Sequence, residues 1–180
     1  MESHYTLVLI KPSAVQRGLC GEIISRYESA GLKLAALKLE KFPLESFAEL
    51  YREHQGKSFY QAVVEHMSSA PICALVLAGP AGIVEKVRAL NGATDPVKAA
   101  PGTIRGDYAA AMEPDNIVHA SDALESAARE CLVPKGAGLI FLSNLIDNLW
   151  LKYLQIWITM VTKTNITKYT CLLPQEVHSL

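Results

Sequence analysis

The stretch at residues 116–122, Asn-Ile-Val-His-Ala-Ser-Asp, decides how this 180-residue chain is organised. The two apolar residues before the histidine are typical of the end of a short buried strand, and Asp122 with Glu125 fits a capping box that opens a helix. A turn between a strand and a helix holds its side chains on two rigid elements, which suits precise chemistry. We therefore expect His119 to be held at such a turn.

A basic loop with two glycines, PGTIRGD at residues 101–107, precedes this stretch. Glycines on both sides of Arg105 allow the backbone to come close to a ligand. A histidine and an arginine on neighbouring turns suggest phosphate chemistry, because a neutral imidazole can attack a phosphoryl group and pass it to a second acceptor. The ring must then be oriented by a fixed acceptor, and Glu130 in the predicted next helix is the candidate.

The rest of the chain predicts an α+β domain. Strands are expected at 5–10, 32–40, 72–77 and just before His119, and helices at 21–30, 44–53, 59–68 and from Pro80 to about 90. Ser13 is expected to cap a helix after the first strand, and residues 93–114 to form a long loop with little regular structure. This order of elements favours a ferredoxin-like sheet with helices on one face.

The central stretch also resembles the active-site signature of the nucleoside diphosphate kinases, which is an Asn, two apolar residues, His, a small residue, Ser and Asp. Five further segments match that family in order, at 6–12, 51–59, 88–96, 101–107 and 125–130. The resemblance covers about residues 4–130 and implies the family's fold, a ferredoxin-like sandwich of a four-stranded antiparallel sheet and packed helices. It does not extend to residues 131–180.

The resemblance implies an enzyme that moves the terminal phosphate of a nucleoside triphosphate to a nucleoside diphosphate. In that family the reaction is ping-pong and proceeds through a phosphohistidine, here on Nδ1 of His119. The family's orienting glutamate matches Glu130, its supporting serine matches Ser121, and the tyrosine packed beside the histidine matches Tyr51.

The resemblance also implies the nucleotide-binding residues. These are Lys11, Phe59, Arg88, Thr94, Arg105 and Asn116, with Lys11 expected to serve the reaction as well. Phe59 would stack on the base, which tolerates any base because each has a π face. Mg²⁺ would bridge the phosphates of the bound nucleotide, so we expect no metal site made by the protein itself. Homologues are tetramers or hexamers, which predicts a homo-oligomer.

Composition narrows the alternatives. A net charge of −1 and a pI near 6.5 give no electrostatic case for nucleic acid or a membrane surface. The cysteines form no CxxC pair and the first residues do not resemble a signal peptide, so a cytoplasmic enzyme is expected. The alternative is a regulator that binds a nucleotide or a protein on the same fold without turnover, which fold alone does not exclude.

The chain departs from the family pattern at Ser13, where aspartate is usual, at Ala120, where glycine is commoner, and in the loop before Asn116. The larger departure is the tail. We predict a domain at residues 1–130 and an atypical apolar extension at 131–180 that is not an independent domain. About residues 142–160 fit an amphipathic helix that packs on the core, on a subunit or on a membrane surface, and a transmembrane helix is the disfavoured alternative. An aberrant terminus that folds poorly is a further alternative.

Overall fold

The computed structural model describes residues 4–110 and 115–131. The strands are β1 (His4–Ile10), β2 (Lys33–Glu40), β3 (Ile72–Gly79) and β4 (Val118–Ala120). The helices are α1 (Pro12–Gln16), α2 (Cys20–Ser29), α3 (Leu44–Leu50), α4 (Tyr60–Ser69), α5 (Ile83–Asn91), α6 (Ile104–Tyr108) and α7 (Leu124–Cys131), with short 3₁₀ turns at Arg52–His54 and Pro96–Lys98. None of these helices is long and apolar enough to cross a bilayer. The predicted tail helix lies outside the described residues.

The four strands form one antiparallel sheet in the order β2-β3-β1-β4. This confirms the predicted α+β ferredoxin-like fold. Strand β1 pairs along its length with β3, and β4 pairs with β1 so that His119 lies opposite Leu9. The histidine is therefore part of the strand itself, and the prediction that it sits in the following turn is wrong. Because His119 lies opposite β1, its backbone takes part in the hydrogen bonds between the two strands.

Helices cover both faces of the sheet, so the prediction that they lie on one face is wrong. In β1, Val8 and Ile10 enter a core shared with α2 and α5, whereas Leu7 and Leu9 enter a second core shared with α3 and α4. Successive residues of a strand point to opposite faces. An unbroken run of four apolar residues therefore requires that both faces be buried.

Two helix starts also differ from prediction. Ser13 lies inside α1 instead of capping it. Its hydroxyl donates a hydrogen bond to the carboxylate of Asp115, which is distant in the sequence. Pro80 lies outside α5, because the helix is preceded by Gly82 with a φ of 84° and begins only at Ile83. A left-handed residue cannot continue into a right-handed helix, and it sets the boundary.

The segment 93–114 was predicted to be a long loop with little regular structure, which is wrong for its centre. Helix α6 forms there, and the Thr103 hydroxyl accepts a hydrogen bond from the backbone N–H of Gly106 at 3.1 Å. A threonine in this position satisfies one of the N–H groups left unpaired at a helix start. Arg105 is thus carried by a short capped helix and not by a free loop.

Candidate active site

The His119 side chain is anchored by a carboxylate. Its Nε2 lies 3.2 Å from Oε2 of Glu130 in α7, and the Ser121 hydroxyl donates to the same oxygen at 2.7 Å. Glu130 is 6% exposed and the histidine side chain 20%, so the acid is enclosed while the ring stays accessible. The strand that carries His119 and the helix that carries Glu130 thereby fix the orientation of the imidazole, and Ser121, directly after the strand, holds the carboxylate.

The charge of Glu130 decides which ring nitrogen carries the proton. Burial by itself raises the pKa of this carboxyl, but the hydrogen bonds from His119 and Ser121, with nearby positive charge, bring the pKa below its usual value. An ionised carboxylate can only accept hydrogen bonds. Nε2 must then carry the proton and donate it, which leaves the lone pair on Nδ1.

A strained turn lies directly before the strand that carries His119. Ile117 has a φ of 72° and is 1% exposed, and the N–H of Val118 donates to the carbonyl of Asn116 at 2.9 Å. A hydrogen bond between residues two apart with positive φ between them is a γ-turn, which is rare and strained for a β-branched residue. Such a conformation costs about 1–3 kcal/mol and persists only where its surroundings hold it.

Arg105 is bound to the backbone at this turn. Its Nε donates to the carbonyl of Asn116 at 3.2 Å and its Nη2 to that of Val118 at 2.7 Å. Its Nη1 donates to the carbonyl of Gly92, just after α5, at 2.8 Å. The side chain is 8% exposed. The guanidinium therefore joins two segments of main chain in addition to lining the site.

The glycine after Arg105 is needed by the loop itself. A Cβ on Gly106 would lie 2.1 Å from the carbonyl oxygen of Ala100 and 2.9 Å from the hydroxyl of Thr103. From the sequence, the glycines on both sides of Arg105 were interpreted as allowing the backbone to come close to a ligand. In the structure, the space beside this glycine is filled by the loop's own main chain.

Next to His119 is a cleft of about 140 Å³. Half of the ten predicted site residues line it, namely Arg88, Thr94, Arg105, His119 and Glu130. Lys11, Asn116 and Ser121 are buried around it, Tyr51 lies behind the histidine, and Phe59 is 41% exposed. The cleft therefore combines cationic groups with the accessible part of the imidazole ring.

Asn116 and Lys11 support the backbone beneath the ring. The amide nitrogen of Asn116 donates to the carbonyl of Thr94 at 3.0 Å, and its buried Oδ1 has no hydrogen-bond partner in the part of the chain that the structure describes. The backbone N–H of Lys11 donates to the carbonyl of Ile117 at 2.8 Å. Both residues therefore lie beside the strained turn.

A row of rings forms one wall of the site. The ring of Tyr51 meets that of His119 edge-on, with centroids 5.5 Å apart, and His54 stacks on Tyr51 at 6.3 Å. His54 also meets Phe59 edge-on at 5.5 Å and lines the cleft. His54 is not among the residues that the sequence predicted for the site. Its spacing of three from Tyr51, which puts both on one helical face, was the available signal.

Two acidic residues that were not predicted also line the cleft. Glu53 pairs with Arg129 of α7 at 3.1 Å. Asp122 is exposed, and a hydrogen bond from Ser126, helped by the charge of Arg88, lowers its pKa. Asp122 was expected to open the helix with Glu125, but α7 begins two residues later. Its bond to Ser126 still joins the cleft to that helix.

Comparison with known proteins gives a consistent result. A family model described as nucleoside diphosphate kinase matches residues 4–133. The chain is 53% identical over 129 residues to a nucleoside diphosphate kinase of Streptomyces avermitilis, covering 71% of this chain and 93% of that protein. It is 47% identical over 130 residues to one from Saccharolobus solfataricus, covering 72% and 93%.

Solved structures agree with these relatives. The nucleoside diphosphate kinase of Aquifex aeolicus superimposes with a TM-score of 0.69 at 37% identity, covering 75% of this chain and 97% of that chain. A nucleoside diphosphate kinase family protein from Babesia bovis gives 0.69 at 38% identity, covering 81% and 98%. Similarity of sequence and of fold thus points to the same family.

Proposed function

This chain belongs to the nucleoside diphosphate kinase family, and on that premise we propose that it transfers the terminal phosphate of a nucleoside triphosphate to a nucleoside diphosphate through His119. The observation that carries the proposal is the bond from Nε2 of His119 to Glu130. Because that bond fixes the proton on Nε2, Nδ1 has the lone pair that a phosphate carrier needs.

The transfer consists of two displacements. Nδ1 forms a bond to the terminal phosphorus of the triphosphate, the bond from that phosphorus to its bridging oxygen breaks, and a diphosphate leaves. A terminal oxygen of the second diphosphate then attacks the same phosphorus, the N–P bond breaks, and the neutral imidazole returns. During each step Glu130 accepts a hydrogen bond from Nε2–H of His119 and stabilises the positive charge that develops on the ring. Ser121 holds the carboxylate in place through its own hydrogen bond.

Positive charge compensates the phosphates. Arg88 and Arg105 line the cleft with the histidine, and Thr94 is exposed there to donate a hydroxyl. Charge that spreads over the transferring phosphoryl oxygens is stabilised by such fixed cations and donors. Lys11 is proposed to add a third charge from beside the turn. The buried Oδ1 of Asn116 supports a role in binding a ligand hydroxyl, since an unsatisfied buried oxygen is unfavourable.

Magnesium fits this donor set as an ion brought in by the nucleotide. Mg²⁺ in such sites is commonly bound through phosphates and one or two carboxylates. The cleft supplies Glu53 and Asp122 as the carboxylates that would face it. When bound, the ion would neutralise negative charge on the phosphates and help to orient them for transfer.

The base and the assembly complete the proposal. The exposed ring of Phe59, backed by His54, is proposed to stack on the base without reading its identity. A homo-oligomer, a cytoplasmic location and a domain boundary near residue 130 remain predictions from the sequence. A regulator without turnover is not favoured, because mere binding does not require a histidine fixed in one tautomer.

The test is labelling with γ-³²P-ATP and Mg²⁺. We expect acid-labile label on the protein that is discharged by added nucleoside diphosphate. His119→Ala should remove the label and lower kcat on the order of 10⁴-fold or more, as expected when a covalent nucleophile is lost. His66→Ala in α4 is the matched control and should keep the label. Label that survives in His119→Ala, or nucleotide binding without any label, would contradict the proposal.

A further inference from the structure

The turn at Ile117 needs external support, and Arg105 supplies it on both sides. Ile117 is held at positive φ, and the guanidinium bonds the carbonyl before it and the carbonyl after it, those of Asn116 and Val118. The third bond, to the carbonyl of Gly92, fixes the guanidinium to the end of α5. Three of the five N–H groups of an arginine are thus directed at main chain.

The strand after this turn is short and is paired along one edge only. Strand β4 is three residues long, lies at one edge of the sheet and pairs only with β1 among the described strands. His119 is its middle residue and follows Val118 directly. A relaxed turn would shift the start of β4, and the Nε2 of the ring would move relative to Glu130 on a different element.

We propose that Arg105 is a positioning residue for His119, acting through the turn at Ile117, in addition to any contact with a phosphate. The inference rests on the proposed function of His119. It differs from a phosphate contact because it operates before any nucleotide is bound. Charge alone cannot perform it, since the donors of an ammonium group all extend from one nitrogen, whereas the three carbonyls here are bonded by three different nitrogens of a planar guanidinium.

The experiment compares Arg105→Lys with Arg88→Lys in the protein without nucleotide. Both changes keep a positive charge in the cleft, but within residues 4–110 and 115–131 the Arg88 side chain makes no hydrogen bond to a backbone carbonyl. Histidine-selective ¹⁵N NMR reports the tautomer of the His119 ring. We expect the Nε2–H tautomer in the parent protein and in Arg88→Lys, and a mixture of tautomers in Arg105→Lys.

Kinetics should separate the two arginines as well. We expect Arg105→Lys to lower kcat at least tenfold with a smaller change in KM, and Arg88→Lys to act more strongly on KM. Arg105→Lys with ring signals identical to those of the parent would overturn the inference. That result would leave the labelling of His119 by ATP untouched, whereas loss of labelling in the parent protein would remove the proposed function itself.

A second variant removes the strain instead of the support. Glycine adopts positive φ readily, so Ile117→Gly should make the tautomer of His119 less dependent on residue 105. We expect Arg105→Lys to perturb the ring signals less in the Ile117→Gly background than with isoleucine. An equal perturbation in both backgrounds would overturn the inference. If Arg105→Lys alone does not fold and the double variant does, the inference is supported, and if neither folds it is rejected.

Discussion

The two sides of His119 are held in different ways. On one side, Glu130 bonds the ring itself at 3.2 Å, and Ser121 donates a hydrogen bond to the same Glu130 oxygen at 2.7 Å. On the other side, Arg105 bonds the main chain beneath the ring at 2.7–3.2 Å and touches carbonyls at Asn116, Val118 and Gly92. The hydrogen bonds are of similar length, but only the first set can determine the tautomer directly.

This difference teaches how a preorganised nucleophile can be built. One group sets the proton on the ring, and another keeps the strand beneath the ring in place. The first task requires a buried acceptor, and the second requires several donors in a fixed plane. A carboxylate and a guanidinium are the side chains suited to these tasks.

The largest expected effect comes from changing the acceptor on the ring. Glu130→Gln should lower kcat on the order of 10²–10⁴-fold, because a neutral amide stabilises the developing charge less and no longer enforces one tautomer. Steady-state kinetics with ATP and a nucleoside diphosphate measure this. Glu40→Gln, which changes a carboxylate of β2 that pairs with Lys38 and does not line the cleft, is the control and should have a much smaller effect on kcat. Equal losses in the two variants would remove the special role of Glu130.

The next effect concerns helix α6, which carries the guanidinium and Gly106. Gly106→Ala should destabilise the fold by about 2–3 kcal/mol, since the new methyl group meets the carbonyl of Ala100 and the main chain must move. Gly21→Ala is the matched control, because nothing lies within 4 Å of its Cβ and it is in α2. That change should stabilise by about 0.5–1 kcal/mol. Urea unfolding measures the stability of both variants. A Gly106→Ala variant as stable as the parent would argue against the close contact between position 106 and the carbonyl of Ala100.

A smaller effect is expected when the carboxylate loses its second donor. Ser121→Ala removes the hydrogen bond to the buried Glu130 and should lower the free energy of unfolding by about 1–2 kcal/mol. Its effect on kcat should be well below that of Glu130→Gln, because the bond to His119 remains. Ser69→Ala, which removes an exposed hydroxyl in α4, should stay within about 0.5 kcal/mol of the parent. A loss no greater than this control would show that the Ser121 bond adds nothing to stability.

The smallest effect is the dependence of stability on acid pH. The pKa of Glu130 is lower in the folded protein than in the unfolded chain, where a glutamate has a pKa of about 4.3. Between the two pKa values the unfolded chain binds more protons, so stability rises with pH there. The contribution is complete above the unfolded value and is lost as pH falls through the folded one. Unfolding from pH 6 to 3 should therefore show a steeper loss for the parent than for Glu130→Gln, and parallel curves would be the contrary result.

Much of the fold follows from local patterns. The β1 strand, the α2 helix and the apolar β3 strand were predicted within a few residues of their bounds, because side-chain periodicity reports them. The same apolar run in β1 also contained the signal for two covered faces, which the one-face prediction missed. The start of α5 was misplaced because the left-handed conformation of Gly82 depends on how the chain turns there.

Within the site, the sequence determined which residues come together around the His119 ring. The tertiary structure decided which groups the nearby guanidinium of Arg105 bonds. His119, Ser121 and Glu130 lie on adjacent elements, so their spacing already limits them to one neighbourhood. The bonds of Arg105 leave no trace in the sequence, because every residue has a carbonyl and only the folded main chain determines which ones come within reach. The positive φ of Ile117 is likewise invisible, since no β-branched residue prefers it and only packing and hydrogen bonds impose it.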